Sequence, residues 1–171
     1  MFFGSVGLEM SCGAWGATYL VESGGLSTGA ASGTIMFYFL GIAIGRFLSG
    51  ILSMKWHCWT IVRLSMCVLI IALLLLIFFD QIWITTVALM LIGIGNGPMF
   101  PSFSYLTPEN FGRENSLSAM GIQIAVANVS LMLMPVLCGF LCQQFSMSLF
   151  PYFLLGCYVL MVLAYQKRPA N

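Results

Sequence analysis

Apolar runs long enough to cross a bilayer fill almost the whole chain. A helical span needs about 20 mainly apolar residues, and six stretches meet that need: 2–21, 30–54, 61–79, 82–106, 117–141 and 149–165. The connections between them are short: "ESGGLSTGA", "KWHCWT", "DQ", "TPENFGRENS" and "CQQFSMS". The Asp80-Gln81 turn is so tight that the third and fourth spans are expected as antiparallel neighbours. Six Lys or Arg and five Asp or Glu in 171 residues cannot clothe a water-soluble surface, in which about a quarter of residues are charged. The chain therefore reads as all-α, a six-helix bundle forming one integral membrane domain over 1–171, with the lipid bilayer as a partner. A net charge of +1 and the lack of a basic patch leave no place for nucleic acid.

Lys and Arg set the orientation. Lys55 lies between the second and third spans, Arg63 just after it, Arg113 between the fourth and fifth, and Lys167 and Arg168 beyond the sixth. With six spans these all fall on one side, and the other connections carry none. The positive-inside rule then places both termini in the cytoplasm, in a plasma (inner) membrane. Trp56, Trp59 and Trp83 fit the aromatic belts at the two interfaces. The opening residues lack the basic leader of a secretory signal, and Glu9 interrupts their apolar run. Cys12, Cys67, Cys138, Cys142 and Cys157 lie in or at the ends of apolar runs and read as small packing side chains. Cys58 and the lone His57 read as loop residues.

The spans are not alike, and the difference repeats every third helix. The third is glycine-free and, past Arg63, almost uniformly apolar, and the sixth has a single glycine. The first, second, fourth and fifth carry glycines and polar groups: Glu9 and Tyr19, then Arg46, then Asn96, then Gln123 and Asn128. Small and polar residues mark helix contacts or a wet cavity. Two inward helices and one outer helix in each triplet look like a 3+3 inverted repeat.

Polar groups inside a bilayer are costly and so informative. Arg46 sits in "FLGIAIGRFLSGILSM" (residues 39–54), about 12 Å from the end of its span at 1.5 Å per residue. Glu9 lies at matching depth on the first span. Two readings of this pair stand side by side. One is a structural ion pair or a snorkelling arginine; the other is a cavity charge that holds a solute, breaks during gating or carries a proton. Ser5, Glu9, Cys12, Gly16 and Tyr19 form one helical stripe. The fourth span contains "GIGNGPMFP", in which Pro98 and Pro101 each remove a backbone hydrogen bond. Freed backbone groups are tolerated only inside protein or beside water, so Gly97, Pro98 and Pro101 are expected at a hinge beside Asn96. Pro135 is a weaker case. Gly41, Gly45 and Ser49 form a small-residue stripe for close packing. No metal-ligand, phosphate-loop or dinucleotide pattern appears, so no cofactor is expected.

At these residues the chain resembles the second half of a major facilitator superfamily transporter, and most of all the bacterial fucose-permease-like, sugar-transporting branch. The resemblance is carried by "GLEMSCGAWGATYLVE", "FYFLGIAIGRFLSGILSMKW", "LIGIGNGPMFPSFSYLTPENFGRENS" and "MGIQIAVANVSLMLMPVLCG". The superfamily's G-x-L-a-D-R-x-G-R-R signature is matched at its start by Gly50 to Lys55. Met54 stands in place of its aspartate, His57 in place of its later glycine, and the basic tail is missing. The resemblance implies a twelve-helix fold of which these are the last six. Its cavity would be lined by the four polar helices.

Met1 opening almost directly inside a span fits half of a longer carrier. Its partner would be the N-terminal six-helix half or a second copy of the chain. The implied activity is secondary active transport of a small polar solute, a sugar, by alternating access with proton coupling. No bond is made or broken, so the chain is not an enzyme. Cavity candidates are Glu9, Arg46, Asn96, Gln123 and Asn128, with Trp15, Tyr19 and Tyr38 as stacking surfaces. Gly45, Gly50, Lys55, Gly97, Pro98, Pro101 and Pro135 are candidates for gating or hinge motion. The alternative is a non-transporting membrane scaffold or a homodimerising half-size carrier.

Overall fold

Local chemistry sets where each helix starts and stops. Helix α1 covers Phe2–Glu22, α2 Thr28–Leu52 and α3 Cys58–Phe78. Helix α4 covers Ile82–Asn96, α5 Met99–Gln144 and α6 Phe150–Gln166, the last after a single 3-10 turn at Met147–Leu149. This is a computed structural model; it describes residues 1–166, with backbone only at 109–115. Lys167 and Arg168, and the side chain of Arg113, lie outside the described residues. No strand occurs among the described residues. The Ser27 hydroxyl caps α2 by accepting from the Ala30 amide. His57, expected as a solvated loop residue, instead caps α3 by accepting from the Trp59 amide. Cys58, also expected in a loop, is the buried first residue of α3. All six cysteines are free thiols, and only Cys67 is exposed.

The expected 82–106 span breaks once, at Gly97-Pro98, where α4 ends and α5 begins. Pro98 is the N-cap of α5, and Pro101 falls in its first turn. Gly97 and Pro98 keep helical backbone angles, so the break is the loss of the hydrogen bonds that Pro98 and Pro101 cannot donate, as the sequence led one to expect. The 107–116 connection also differs from expectation, because its backbone is helical. A straight α5 of 46 residues would extend roughly 69 Å, far beyond a bilayer. It is not straight. The Thr107 hydroxyl donates to Gln123 Oε1 at 2.7 Å, although an unbroken helix would hold these residues about 24 Å apart. The chain reverses between them, and the stretches Ile82–Pro108 and Ser116–Gln144 form separate spans.

Among the described residues, five stretches are long and apolar enough to span a membrane. α1 matches them in length, at 21 residues, but its glycines, serines and Glu9 lower its hydropathy, and it is not among the five. The helix ends sort into two layers. Phe2, Trp59, Leu106 and Gln123 line one hollow, and nearby Arg63 donates to the Tyr165 hydroxyl at 2.7 Å. Glu22, Asp80, Gln143 and Tyr152 line another. Consecutive spans therefore run in opposite directions. Lys55 and Arg63 mark the first end, and Glu22 and Asp80 the second. Exposed Trp56 and Trp83 stand near opposite ends.

The closest helix contact is between α2 and α4. Gly41 sits on the Met90 carbonyl and Gly45 on the Ile94 carbonyl. In return Gly93 sits on the Tyr38 carbonyl, and Gly97 on the Ile42 carbonyl and the Arg46 amide. The two helices touch backbone to backbone because none of the four carries a side chain. Burial does not follow the expected triplets. Leu69, Ala72 and Leu73 of α3 are fully buried, whereas α2 exposes Phe37, Phe39 and Phe47. A uniformly apolar surface is as compatible with a protein neighbour as with lipid, so apolarity alone does not mark an outer helix.

Gly93→Ala is expected to lower stability by about 1–3 kcal/mol, as overpacking does, because its Cβ would press on the Tyr38 carbonyl. Gly33→Ala, which faces open space within α2, should instead raise stability by up to about 1 kcal/mol through helix propensity. Thermal unfolding in detergent compares the two.

Candidate functional site

Glu9, midway along α1, joins three helices. Its Oε1 accepts from Arg46 Nη2 of α2 at 2.8 Å. Its Oε2 accepts from Asn96 Nδ2 of α4 at 3.2 Å. The glycine contact between α2 and α4 makes this convergence possible, because Gly97 lies against the Arg46 amide and so sets Arg46 beside Asn96. The pair is unevenly covered: the Arg46 side chain is 51% exposed and that of Glu9 14%. Behind Glu9 lies a fully covered layer. The Ser5 hydroxyl donates to Asn96 Oδ1 at 2.9 Å, and Asn96 Nδ2 also reaches the Ser5 carbonyl at 3.3 Å. The buried Tyr38 hydroxyl donates to the Glu9 backbone carbonyl at 3.1 Å.

The pair opens onto a cavity of about 530 Å³, a size typical of small-molecule sites. Glu9, Arg46, Ser49 and Asn128 supply its polar wall, and Val6, Met10, Phe100, Ile124 and Leu131 most of its apolar wall. Both stretches of α5 contribute, Phe100 from one and Ile124 to Leu131 from the other, which only the chain reversal permits. Among the described residues no group of three His, Cys, Asp or Glu is placed to hold a metal ion.

The sequence candidates divide by position. Glu9, Arg46 and Asn128 line the cavity, as do Gly50 and Pro101. Asn96 stands one layer behind, 1% exposed. Gln123 lies at the basic end, bonded to Thr107. None of the three aromatic candidates is on the cavity wall. The Trp15 indole donates to the Pro135 carbonyl at 2.8 Å and its ring lies against Gly139, locking α1 to α5. Tyr19 packs on the Phe150 ring near the acidic end. Tyr38 is core. Among the hinge candidates, Gly45 is a packing contact, Gly97 and Pro98 form the break, and Lys55 is exposed in the turn after α2. Ser5 and Phe100 were not anticipated. Ser5 lies on the Glu9 stripe, which was the available signal, whereas nothing distinguishes Phe100 from the other phenylalanines.

The family profile described as Major Facilitator Superfamily matches residues 1–170. The chain belongs to the major facilitator superfamily. It is a multi-pass membrane protein with the fold of a transporter family. The crystal structure of the POT family transporter PepTSo, grown in meso, is similar to it, with a TM-score of 0.75 and 16% sequence identity. That alignment covers 99% of this chain and 39% of the PepTSo chain, and at this identity it shows the fold alone. No curated protein matches.

Removing one partner of a covered ion pair strands the other. Arg46→Leu should therefore lower the melting temperature in detergent, and adding Glu9→Gln should restore most of the loss. Trp15→Phe should cost about 1 kcal/mol, the value of one net hydrogen bond, read by the same melting experiment.

Proposed function

We propose that the chain is the C-terminal six-helix half of a twelve-helix secondary transporter. It carries a small polar solute, a sugar, by alternating access with proton coupling. The observation that carries this reading is the Glu9–Arg46 pair on the wall of the cavity. A transmembrane ion pair that faces a cavity rather than lipid is a functional candidate. The two charges cancel within the site, which favours a neutral solute over a charged one. The half-open guanidinium of Arg46 and the Asn128 amide offer donors to hydroxyl groups, and Phe100 offers an apolar face for ring C–H groups.

Breaking the pair would leave Glu9 free to take a proton, which is how a transmembrane carboxylate serves coupling. The Gly97-Pro98 break gives α4 a place to bend beside the site. The two triplets would act as inverted repeats, and the other six-helix half would complete the cavity. Lys55 and Arg63 at one end and Glu22 and Asp80 at the other support a plasma (inner) membrane orientation with cytoplasmic termini.

Vesicles carrying the intact transporter should accumulate labelled monosaccharides. Glu9→Gln and Asn96→Ala should leave membrane abundance unchanged and lower uptake roughly tenfold or more, the cost of losing one charge-assisted hydrogen bond. Normal uptake by both variants would remove Glu9 and Asn96 from the transport path, and no accumulation by the intact protein would favour the scaffold reading. Cross-linked dimers formed in membranes lacking any first-half chain would favour the homodimeric carrier.

A further inference from the structure

Asn96 makes three polar contacts to α1, and together they leave its amide a single orientation. Its Nδ2 faces the Ser5 carbonyl at 3.3 Å and Glu9 Oε2 at 3.2 Å. A backbone carbonyl and a carboxylate are acceptors only, so the amide nitrogen belongs on that side. The amide oxygen is then turned to the Ser5 hydroxyl, which donates to it at 2.9 Å. Ser5 is 2% exposed and Asn96 1%, so bulk water does not compete for these bonds. Neither residue lines the cavity. Asn96 is also the last residue of α4, directly ahead of the Gly97-Pro98 break.

Both Glu9 oxygens are thus occupied by donors, Arg46 on one and Asn96 on the other. A proton placed on Oε2 would confront the Asn96 N–H. For Oε2 to be protonated, Asn96 must turn or withdraw. Turning is opposed by the Ser5 carbonyl, which would then face the amide oxygen, and it breaks the bond that the Ser5 hydroxyl now donates. Withdrawing moves the end of α4 at its break. From α2, the Arg46 guanidinium and the Tyr38 hydroxyl also bind Glu9, the latter at its backbone carbonyl.

We propose that Ser5 and Asn96 are positioning residues for Glu9. Ser5 fixes the Asn96 amide, the amide holds Glu9 Oε2 as an acceptor, and a shift at the α4–α5 break is transmitted through Asn96 to the carboxylate. The link to transport rests on the role proposed for Glu9 above, whereas the positioning itself does not.

The test uses dicyclohexylcarbodiimide, which modifies protonated carboxyl groups within membranes. Labelling of Glu9 is read by mass spectrometry on the protein in lipid vesicles, with Glu22 of the same helix as the internal standard. Ser5→Ala should raise the rate of Glu9 labelling severalfold and leave Glu22 unchanged. Ser5→Thr, which keeps the hydroxyl, should stay near the wild-type rate. Asn96→Ala removes the donor itself and should show a larger rise, and it decides the matter should Ser5→Ala fail to reach the membrane. A wild-type labelling rate in folded Ser5→Ala or Asn96→Ala, or a rise matched at Glu22, overturns the proposal. Normal uptake by Glu9→Gln alongside the expected labelling would remove the transport role of Glu9 and leave its positioning intact.

Discussion

The backbone contact between α2 and α4 is the constraint from which the rest of the site follows. Lipid tails are as apolar as leucine, so helices in a bilayer gain little from burying apolar side chains against one another. Close approach is what gains van der Waals contact. Gly41 and Gly45 on one helix and Gly93 and Gly97 on the other bring two backbones into touch. The register that results places the Arg46 amide over Gly97 and so fixes where the guanidinium and the Asn96 amide emerge. Glu9 of α1 then meets both. A polar cluster drawn from three helices is thus placed by four residues that have no side chain at all.

The reversal of α5 is the second organising feature. It brings Phe100 and Pro101 to the same cavity as Ile124 through Leu131, so one wall is built from two distant parts of the chain. The Thr107–Gln123 hydrogen bond fastens the two stretches at the basic end, and Trp15 fastens α1 to the second stretch near Pro135. These fastenings lie away from the Gly97-Pro98 break, where the helix loses backbone hydrogen bonds while keeping helical angles. The bundle is therefore pinned on either side of a weak point.

Much of this was legible in the residues. Apolar run length and the scarcity of charge fix a helical membrane domain, because no other backbone arrangement without strands satisfies its own hydrogen bonds in lipid. Matched depth along two helices anticipated that Glu9 and Arg46 meet. The spacing of Gly41, Gly45 and Ser49 anticipated a close contact, though not that Gly93 and Gly97 would complete it. What failed was the step from helix face to depth. Glu9 and Tyr19 share a stripe, but ten positions along a helix separate them by about 15 Å, so they open onto different hollows. Trp15 and Tyr38 were anticipated as solute-stacking rings, and their polar atoms are instead spent on backbone carbonyls. The role of Ser5 depends on a contact across 91 positions of the chain, which no local pattern encodes. The place of the break within "GIGNGPMFP" also needed the structure, since proline at the start of a helix and proline inside one look the same in sequence.

The uneven cover of the Glu9–Arg46 pair has a consequence for time rather than energy. Glu9 is held by α4 and by the floor of the site, whereas Arg46 is a long side chain with half its surface open. When the pair parts, the arginine is the member that leaves, by turning about its own single bonds. Exposed side chains change rotamer in picoseconds to nanoseconds, while helices shift over microseconds to milliseconds. The pair can therefore open and close many times within one movement of the bundle. On the transport role proposed above, it would act less as a latch that must be forced than as a rapidly sampled contact whose average occupancy the slower helices adjust.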